Sequence, residues 1–164
     1  MDSRAPAAEY DLKAAFLFNF SRFVEWPPEA FADPSTPITI GILGNDPFGG
    51  NLDEIVSGEV VRNRRLVVRR FQDFAEVGEC HILFISSSEA PALDRVFAAL
   101  GNRSVLTVGE SADFAARSGV VAFVLSHNRL RLRINLSAAR AAHLTISSQL
   151  LRQAEIVGER SSKP

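Results

Sequence analysis

Few residues in this chain could do acid–base or nucleophilic chemistry. Its 164 residues include one cysteine, Cys80, and three histidines, His81, His127 and His143. The histidines do not show a metal-ligand spacing such as H-x-x-x-H, and a lone cysteine can form neither an internal disulfide nor a zinc site. We interpret Cys80 as a buried small apolar residue. The histidines are interpreted as structural, because no acid that would orient one of them in a catalytic triad can be identified.

The serine-rich segment "SSSEAP" at positions 86–91 follows an apolar strand, where a nucleophile could lie. A hydrolase elbow needs glycine on both sides of the serine, and glycine is absent here. A phosphorelay receiver needs a carboxylate at this strand end and a lysine after a later strand. The only lysines are Lys13 and Lys163, so both catalytic interpretations fail on chemistry.

The glycine-rich segment "GILGNDPFGG" at positions 41–50 is a possible ligand loop. It matches neither the dinucleotide fingerprint nor the P-loop. Asp46 followed by Pro47 is typical of a helix N-cap, so a turn and a helix cap explain the pattern as well as a ligand does. The candidate ligand residues are Gly44, Asn45, Asp46 and Gly49.

Arginines supply nearly all of the positive charge. One stripe, in "RLRLRINL", consists of Arg129, Arg131 and Arg133. Nucleic-acid binding is not expected, because the net charge is −1. Charged side chains on an edge strand prevent aggregation, and they can also bind an acidic protein partner, so the stripe is a candidate interface.

Apolar strands alternate with helical segments, which predicts an α/β fold. We predict a single-domain α-β-α layered sandwich with a largely parallel sheet and an antiparallel C-terminal hairpin at its edge. The domain is predicted to span 9–157, between flexible tails at 1–8 and 158–164. The predicted strands are 38–43, 65–71, 81–86, 104–109, 119–126 and 129–136, the last two joined by a tight turn at His127-Asn128. The predicted helices are 9–25, 46–57, 88–100, 111–117, a short one from 137, and 148–157.

The aromatic segment "AAFLFNFSRFVEWPP" at positions 14–28 belongs to the first predicted helix. Helical spacing predicts a core-facing stripe of Leu12, Phe16, Phe20 and Phe23. Phe18 projects from the opposite side, so we expect it either at a dimer or partner surface or under another element such as the C-terminal helix. Trp26, at the helix end, is a second interface candidate.

Several segments together resemble the YfiR-like family of small bacterial periplasmic proteins. They are "KAAFLFNFSRFVEWP", "ILGNDPFGGNLD", "CHILFIS", "VLTVGE" and "FAARSGVVAFVLSHNRLRLRINLSAARAAHLTISSQLL". They occur in the order of the family and span about residues 10–157.

The resemblance implies regulation without catalysis and without a cofactor. Such a protein represses a membrane-bound diguanylate cyclase by binding its periplasmic sensor domain, and so changes cyclic-di-GMP and biofilm formation. A sensor kinase is an alternative partner, an outer-membrane lipoprotein is a further one, and a homodimer is expected. The alternative is a small-ligand sensor of the same fold, with its site at Gly44–Gly49 or in an aromatic pocket.

The resemblance also implies export to the periplasm. The start, "MDSRAPAAEY", has no apolar segment typical of a signal peptide, so we expect that the signal has been removed from this chain. Control by internal disulfides is not possible with Cys80 alone, whereas a disulfide between two copies remains open.

Overall fold

A sheet of eight strands organises the protein in the computed structural model, which describes residues 4–111 and 113–157. The strands are β1 (Val24–Glu25), β2 (Ile38–Leu43), β3 (Val60–Val61), β4 (Arg64–Phe71), β5 (Ile82–Ile85), β6 (Leu106–Gly109), β7 (Val121–Ser126), β8 (Arg129–Asn135), β9 (Thr145–Ile146) and β10 (Ala154–Val157). The helices are α1 (Arg4–Phe23), α2 (Asn51–Val56), α3 (Leu93–Leu100), α4 (Phe114–Arg117), α5 (Leu136–Ala141) and α6 (Ser148–Leu151). Short 3-10 helices cover Pro28–Ala30, Phe74–Glu76 and Ser87–Ala92.

The order across the large sheet is β10-β8-β7-β6-β5-β2-β4-β3. Strands β4, β2, β5, β6 and β7 are parallel and follow the flavodoxin-like order 2-1-3-4-5. Every residue of β2, β5 and β6 is buried, as continuous apolar strands require when helices cover both faces of a sheet. The predicted α/β fold with a largely parallel sheet is confirmed. Strands β1 and β9 form a separate antiparallel ribbon.

The hairpin of β7 and β8 is confirmed. His127 and Asn128 have φ of 53° and 64°, as a two-residue turn with positive φ at both positions requires. Its predicted place at the sheet edge is wrong, because β10 adds to β8 in parallel, with Ala154 opposite Leu132. The segment 154–157, predicted as helix, forms this strand because pairing with β8 outweighs local helix propensity.

Helix α1 begins at Arg4, so the predicted tail over 1–8 is wrong for residues 4–8. Three alanines in this stretch, at positions 5, 7 and 8, favour helix. Residues 1–3 and the predicted tail at 158–164 lie outside the described residues.

The core-facing side of α1 also differs from the prediction. Its buried residues are Lys13, Ala14, Leu17, Phe20 and Ser21. Leu12 is 48% exposed, and Phe16 and Phe23 are half-buried. The face that α1 turns to the core thus includes Lys13, which is buried in an ion cluster with Glu9 and Glu110.

Two predicted helix starts are also corrected. Asp46 accepts a hydrogen bond from the Phe48 backbone N–H at 2.8 Å and so closes a turn, whereas α2 begins only at Asn51. The helix predicted from position 88 begins as a 3-10 helix containing Pro91, and α3 itself begins at Leu93. Proline lacks the N–H that a regular helix interior needs, which accounts for the change.

Separate apolar clusters cover the two faces of the sheet. The α1 side includes Phe20 stacked on Phe123, with ring centroids 6.0 Å apart. The opposite side includes Leu83, Val96 and Phe114. No helix within the described residues is both long and apolar enough to cross a lipid bilayer.

The ring of Phe114 fills the space between two glycines. A Cβ at Gly109 would lie 2.3 Å from this ring, and a Cβ at Gly119 would lie 2.0 Å from it. Because Phe114 is only 1% exposed, its ring cannot move out into solvent without losing core contacts.

We therefore expect Gly109→Ala to lower the free energy of unfolding by about 1–3 kcal/mol through overpacking. Gly78→Ala is the matched control, because a Cβ at Gly78 meets nothing within 4 Å, and its effect should stay within about 0.5 kcal/mol. Urea denaturation measures both variants. Equal stabilities would contradict this packing.

Candidate functional site

The arginine stripe lies beside a gap in the sheet. Strand β10 begins opposite Leu132, so the residues of β8 before it, 129–131, pair with β7 on one side and with no strand of the described chain on the other. A cavity of about 390 Å³ occupies this position. We call it the notch, and its lining residues are Arg129, Leu130, Arg131, Leu132, Arg152, Gln153, Ala154 and Glu155.

The notch carries positive charge that no described residue neutralises. Arg133 is half-buried and donates from Nε to Glu155 Oε1 at 3.0 Å, so this carboxylate is occupied. The other arginines here are exposed, and within the described residues their guanidinium groups have no hydrogen-bond or ion-pair partner. They are Arg129, Arg131 and Arg152.

The candidate ligand loop lies between the carboxyl ends of β2 and β5, where the strand order reverses and ligands bind in folds of this type. Protein groups occupy it. Gly44 has φ of 94°, and a Cβ there would lie 2.6 Å from Ser88 Oγ. Asn45 donates its backbone N–H to the same oxygen at 3.0 Å. Asp46 binds Arg70 at 2.6 Å, and a Cβ at Gly49 would meet nothing within 4 Å.

Trp26 and His81 form a buried cluster at the opposite end of the strands. Trp26 is 9% exposed and donates from Nε1 to the His81 carbonyl at 3.0 Å, so its predicted interface role is not supported. The His81 ring accepts from the Thr39 N–H through Nδ1 at 3.0 Å and contacts the Ala30 carbonyl through Nε2 at 2.9 Å. This arrangement requires a neutral ring with its hydrogen on Nε2, and burial lowers the pKa of His81 below 6.5. Phe31 stacks on the ring at 4.3 Å.

A cavity of about 470 Å³ borders this cluster, and Trp26 and Phe31 are among its lining residues. Its two arginines are already engaged. Arg62 donates to the carbonyls of Ser21, Arg22 and Val24, which caps the end of α1. Arg64 lies 3.7 Å from the Phe31 ring centroid and donates to backbone carbonyls at positions 33, 34 and 36.

Phe18 is half-buried and packs against the core on the α1 side of the sheet. The Arg22 guanidinium lies 5.9 Å from its ring centroid. Part of the Phe18 ring stays accessible to solvent. Its role at an interface therefore remains a prediction.

The thiol of Cys80 is buried and poorly reactive. Burial raises its pKa to about 12, and Sγ lies 3.1 Å from the Ile82 carbonyl oxygen. A thiolate is the reactive form, so neither redox chemistry nor metal binding is favoured. A disulfide between two copies would require Cys80 to leave the core.

A buried ion cluster, which sequence reasoning missed, joins α1 to the carboxyl end of β6. Lys13 is 3% exposed, and its Nζ contacts Glu9 at 2.5 Å and Glu110 at 2.7 Å. The Tyr10 ring centroid lies 4.5 Å from this ammonium. Burial and a hydrogen bond with Glu110 raise the pKa of Tyr10. The one available signal was that Lys13 is the only lysine between the two ends of the chain.

Metal chemistry has no evident site among residues 4–111 and 113–157, where no three His, Cys, Asp or Glu side chains group to hold an ion. In the described part of the chain, every buried side-chain nitrogen or oxygen has a hydrogen-bond partner, whereas three exposed arginines of the notch have none. The strand order of the large sheet defines the protein as a small flavodoxin-like α/β domain.

Comparison by sequence identifies its family. The family described as YfiR/HmsC-like (DUF4154) matches residues 10–155, and the chain belongs to it. This is a family of regulatory, non-enzymatic proteins. A search of curated protein sequences finds no match.

A solved structure has a similar fold. It is the crystal structure of a conserved domain protein from Vibrio cholerae O1 biovar El Tor, with a TM-score of 0.58 and 12% sequence identity. The match covers 90% of this chain and 59% of the other chain. At this identity the similarity shows the fold alone.

The ion cluster predicts an abnormal tyrosine titration. Tyr10 is the only tyrosine, so absorbance at 295 nm reports it alone. In the folded protein we expect ionisation well above pH 10, and in urea near pH 10. Stability is retained below pH 10 and falls as pH rises further, because the unfolded state loses this proton first. Glu110→Gln should bring the folded midpoint closer to 10. Identical titrations in the folded and unfolded states would contradict the cluster.

His81 predicts a loss of stability in mild acid. Its pKa is lowered in the folded state, so the unfolded state takes up a proton more readily, and stability falls as pH drops from about 6.5 through the folded pKa. Fluorescence of Trp26, the only tryptophan, follows unfolding in urea at pH 7 and pH 5. The decrease should be smaller in His81→Gln and unchanged in His127→Asn, whose side chain is exposed. An equal decrease in both variants would contradict this assignment.

Proposed function

We propose that this chain is a periplasmic regulator that represses a membrane-bound diguanylate cyclase by binding its periplasmic sensor domain. Repression lowers cyclic-di-GMP inside the cell and with it biofilm formation. The observation that carries the proposal is the family match over residues 10–155. A sensor kinase is an alternative target of the same kind.

The buried polar side chains contact other groups of the protein, which supports a binding role. Lys13, His81 and Cys80 are buried and engaged with protein groups, so they are not available to a substrate. A regulator that acts by contact needs accessible surface instead. Such surface is present at the notch and at Leu12 and Leu125, which are 48% and 54% exposed.

The proposal includes further partners. A homodimer is expected in solution, and an outer-membrane lipoprotein that sequesters the repressor would restore cyclase activity. Phe18 remains the aromatic candidate for one of these contacts, because its ring on α1 is only partly buried against the core.

Calorimetric titration against the periplasmic domain of the cyclase encoded nearest to this gene tests the proposal. We expect saturable binding with a fixed stoichiometry, and no heat with the periplasmic domain of an unrelated membrane protein. Absence of binding to the cognate domain would contradict the proposal.

Phe18→Asp tests the aromatic contact. We expect the variant to lose association with the dimer or partner while its circular dichroism spectrum and unfolding midpoint remain close to wild type. Loss of the folded monomer would instead assign Phe18 to the core, and the surface on α1 would then be excluded.

A cavity favours a second candidate function, sensing of a small ligand. It has a volume of about 390 Å³, lies between α3 and α5, and has apolar walls at Phe97 and Val120. Its lining includes Arg103, which donates to the Gly78 carbonyl at 2.6 Å and keeps its positive charge, and Arg117, whose charge is paired with Asp94. This lining suits a small apolar compound that carries an anionic group. Such a ligand should raise the melting temperature of wild type and not of Arg103→Gln. A thermal-shift screen of aromatic and aliphatic carboxylates without any effect would exclude it.

A further inference from the structure

The backbone of the notch is an open position in the sheet. In the described chain, β7 pairs with residues 129–131 of β8 from one side, whereas β10 reaches only residues 132–135 on the other. Unpaired N–H and C=O groups at a strand edge can accept an additional strand from another chain. The gap is therefore suited to a short extended segment in line with β10.

The side chains around this gap differ between the two faces of the sheet. Arg129 and Arg131 project from one face, because alternate residues of a strand point the same way. Leu130 projects from the other face, next to its cross-strand partner Leu125, which is 54% exposed. A strand added here would place its own alternate residues near the arginines and near the leucines.

The charge of the notch indicates what kind of side chain a bound segment would present to it. Three guanidinium groups line the cavity without a partner in the described residues, those of Arg129, Arg131 and Arg152. The carboxylate of Glu155 is occupied by Arg133. Carboxylates from a partner would form charge-assisted hydrogen bonds with these groups.

We propose that the notch binds an extended segment of the regulated partner in which acidic and apolar residues alternate, added as a strand beside residues 129–131. The carboxylates meet Arg129, Arg131 and Arg152, and the apolar residues cover Leu125 and Leu130. A protein segment is favoured over an anionic membrane because lipid headgroups satisfy the arginines but leave the backbone edge unpaired. This inference about the notch rests on the proposed function, because it assumes that the regulated partner is a protein.

A labelled eight-residue peptide that alternates glutamate and valine is the probe, titrated with the full chain and followed by fluorescence anisotropy. We expect saturable binding that weakens with added salt. The double variant R129E/R131E should bind about tenfold more weakly or worse, because repulsion replaces attraction. R152E, in the turn before β10, should weaken binding independently, so the result does not depend on the fold of one variant.

The matched control is R65E/R69E. Arg65 and Arg69 are exposed and lie on the same face of the sheet as Arg129 and Arg131. Phe71, on the strand of the control pair, and Val124, opposite Arg131, both belong to the apolar cluster of that face. R65E/R69E changes the net charge by the same amount as R129E/R131E, but the change lies at the other end of the sheet. We expect it to bind the alternating peptide like wild type. Equal weakening in the control and in R129E/R131E would overturn the notch in favour of unspecific charge attraction.

Two further probes separate strand addition from charge alone. A peptide of the same composition, with its four glutamates before its four valines, should bind more weakly than the alternating one. Vesicles of phosphatidylcholine and phosphatidylglycerol should not bind through the notch. Equal affinity for both peptides, or loss of vesicle binding in R129E/R131E without loss of peptide binding, would overturn the proposal. Because these probes do not involve the cyclase, their failure would leave the proposed function standing.

Discussion

The burial of the Lys13 ammonium is the constraint on which the position of α1 depends. A charge removed from water costs several kcal/mol unless it is paired, and Lys13 is paired with Glu9 on its own helix and with Glu110 at the end of β6. The helix must therefore place this turn over the carboxyl end of β6. Phe20 then stacks on Phe123, and Leu12 turns toward solvent.

The far end of α1 is held by a second set of polar contacts. Arg62 caps its last carbonyls, and Trp26 donates to the carbonyl of His81 at the start of β5. The opening helix is thus tied to the sheet at both ends by polar contacts. At the surface, three arginines of the notch have no partner among the described residues and lie beside the part of β8 that β10 does not cover.

Local rules recovered much of this fold from the sequence. The continuous apolar strand at 38–43 was predicted with its observed bounds, and His127-Asn128 was predicted as the hairpin turn, because both depend on neighbouring residues alone. Strand β10 was missed because its pairing with β8 is a non-local contact that no local pattern in 154–157 indicates. The face of α1 was misjudged because the prediction followed the spacing of apolar residues alone, whereas the burial of Lys13 depends on its non-local pairing with Glu110. Of the candidate site, the arginine stripe was visible in the sequence, whereas Arg152 and the gap before β10 require the tertiary structure.

In the proposed function, this protein acts from the periplasm on a membrane cyclase through contact. Intracellular cyclic-di-GMP, measured in a strain that lacks this gene, tests it most directly. Supplying the chain with an export signal should lower cyclic-di-GMP, and supplying the same chain without the signal should not. An unchanged level with the exported chain, or an equal decrease with the chain retained in the cytoplasm, would contradict the account.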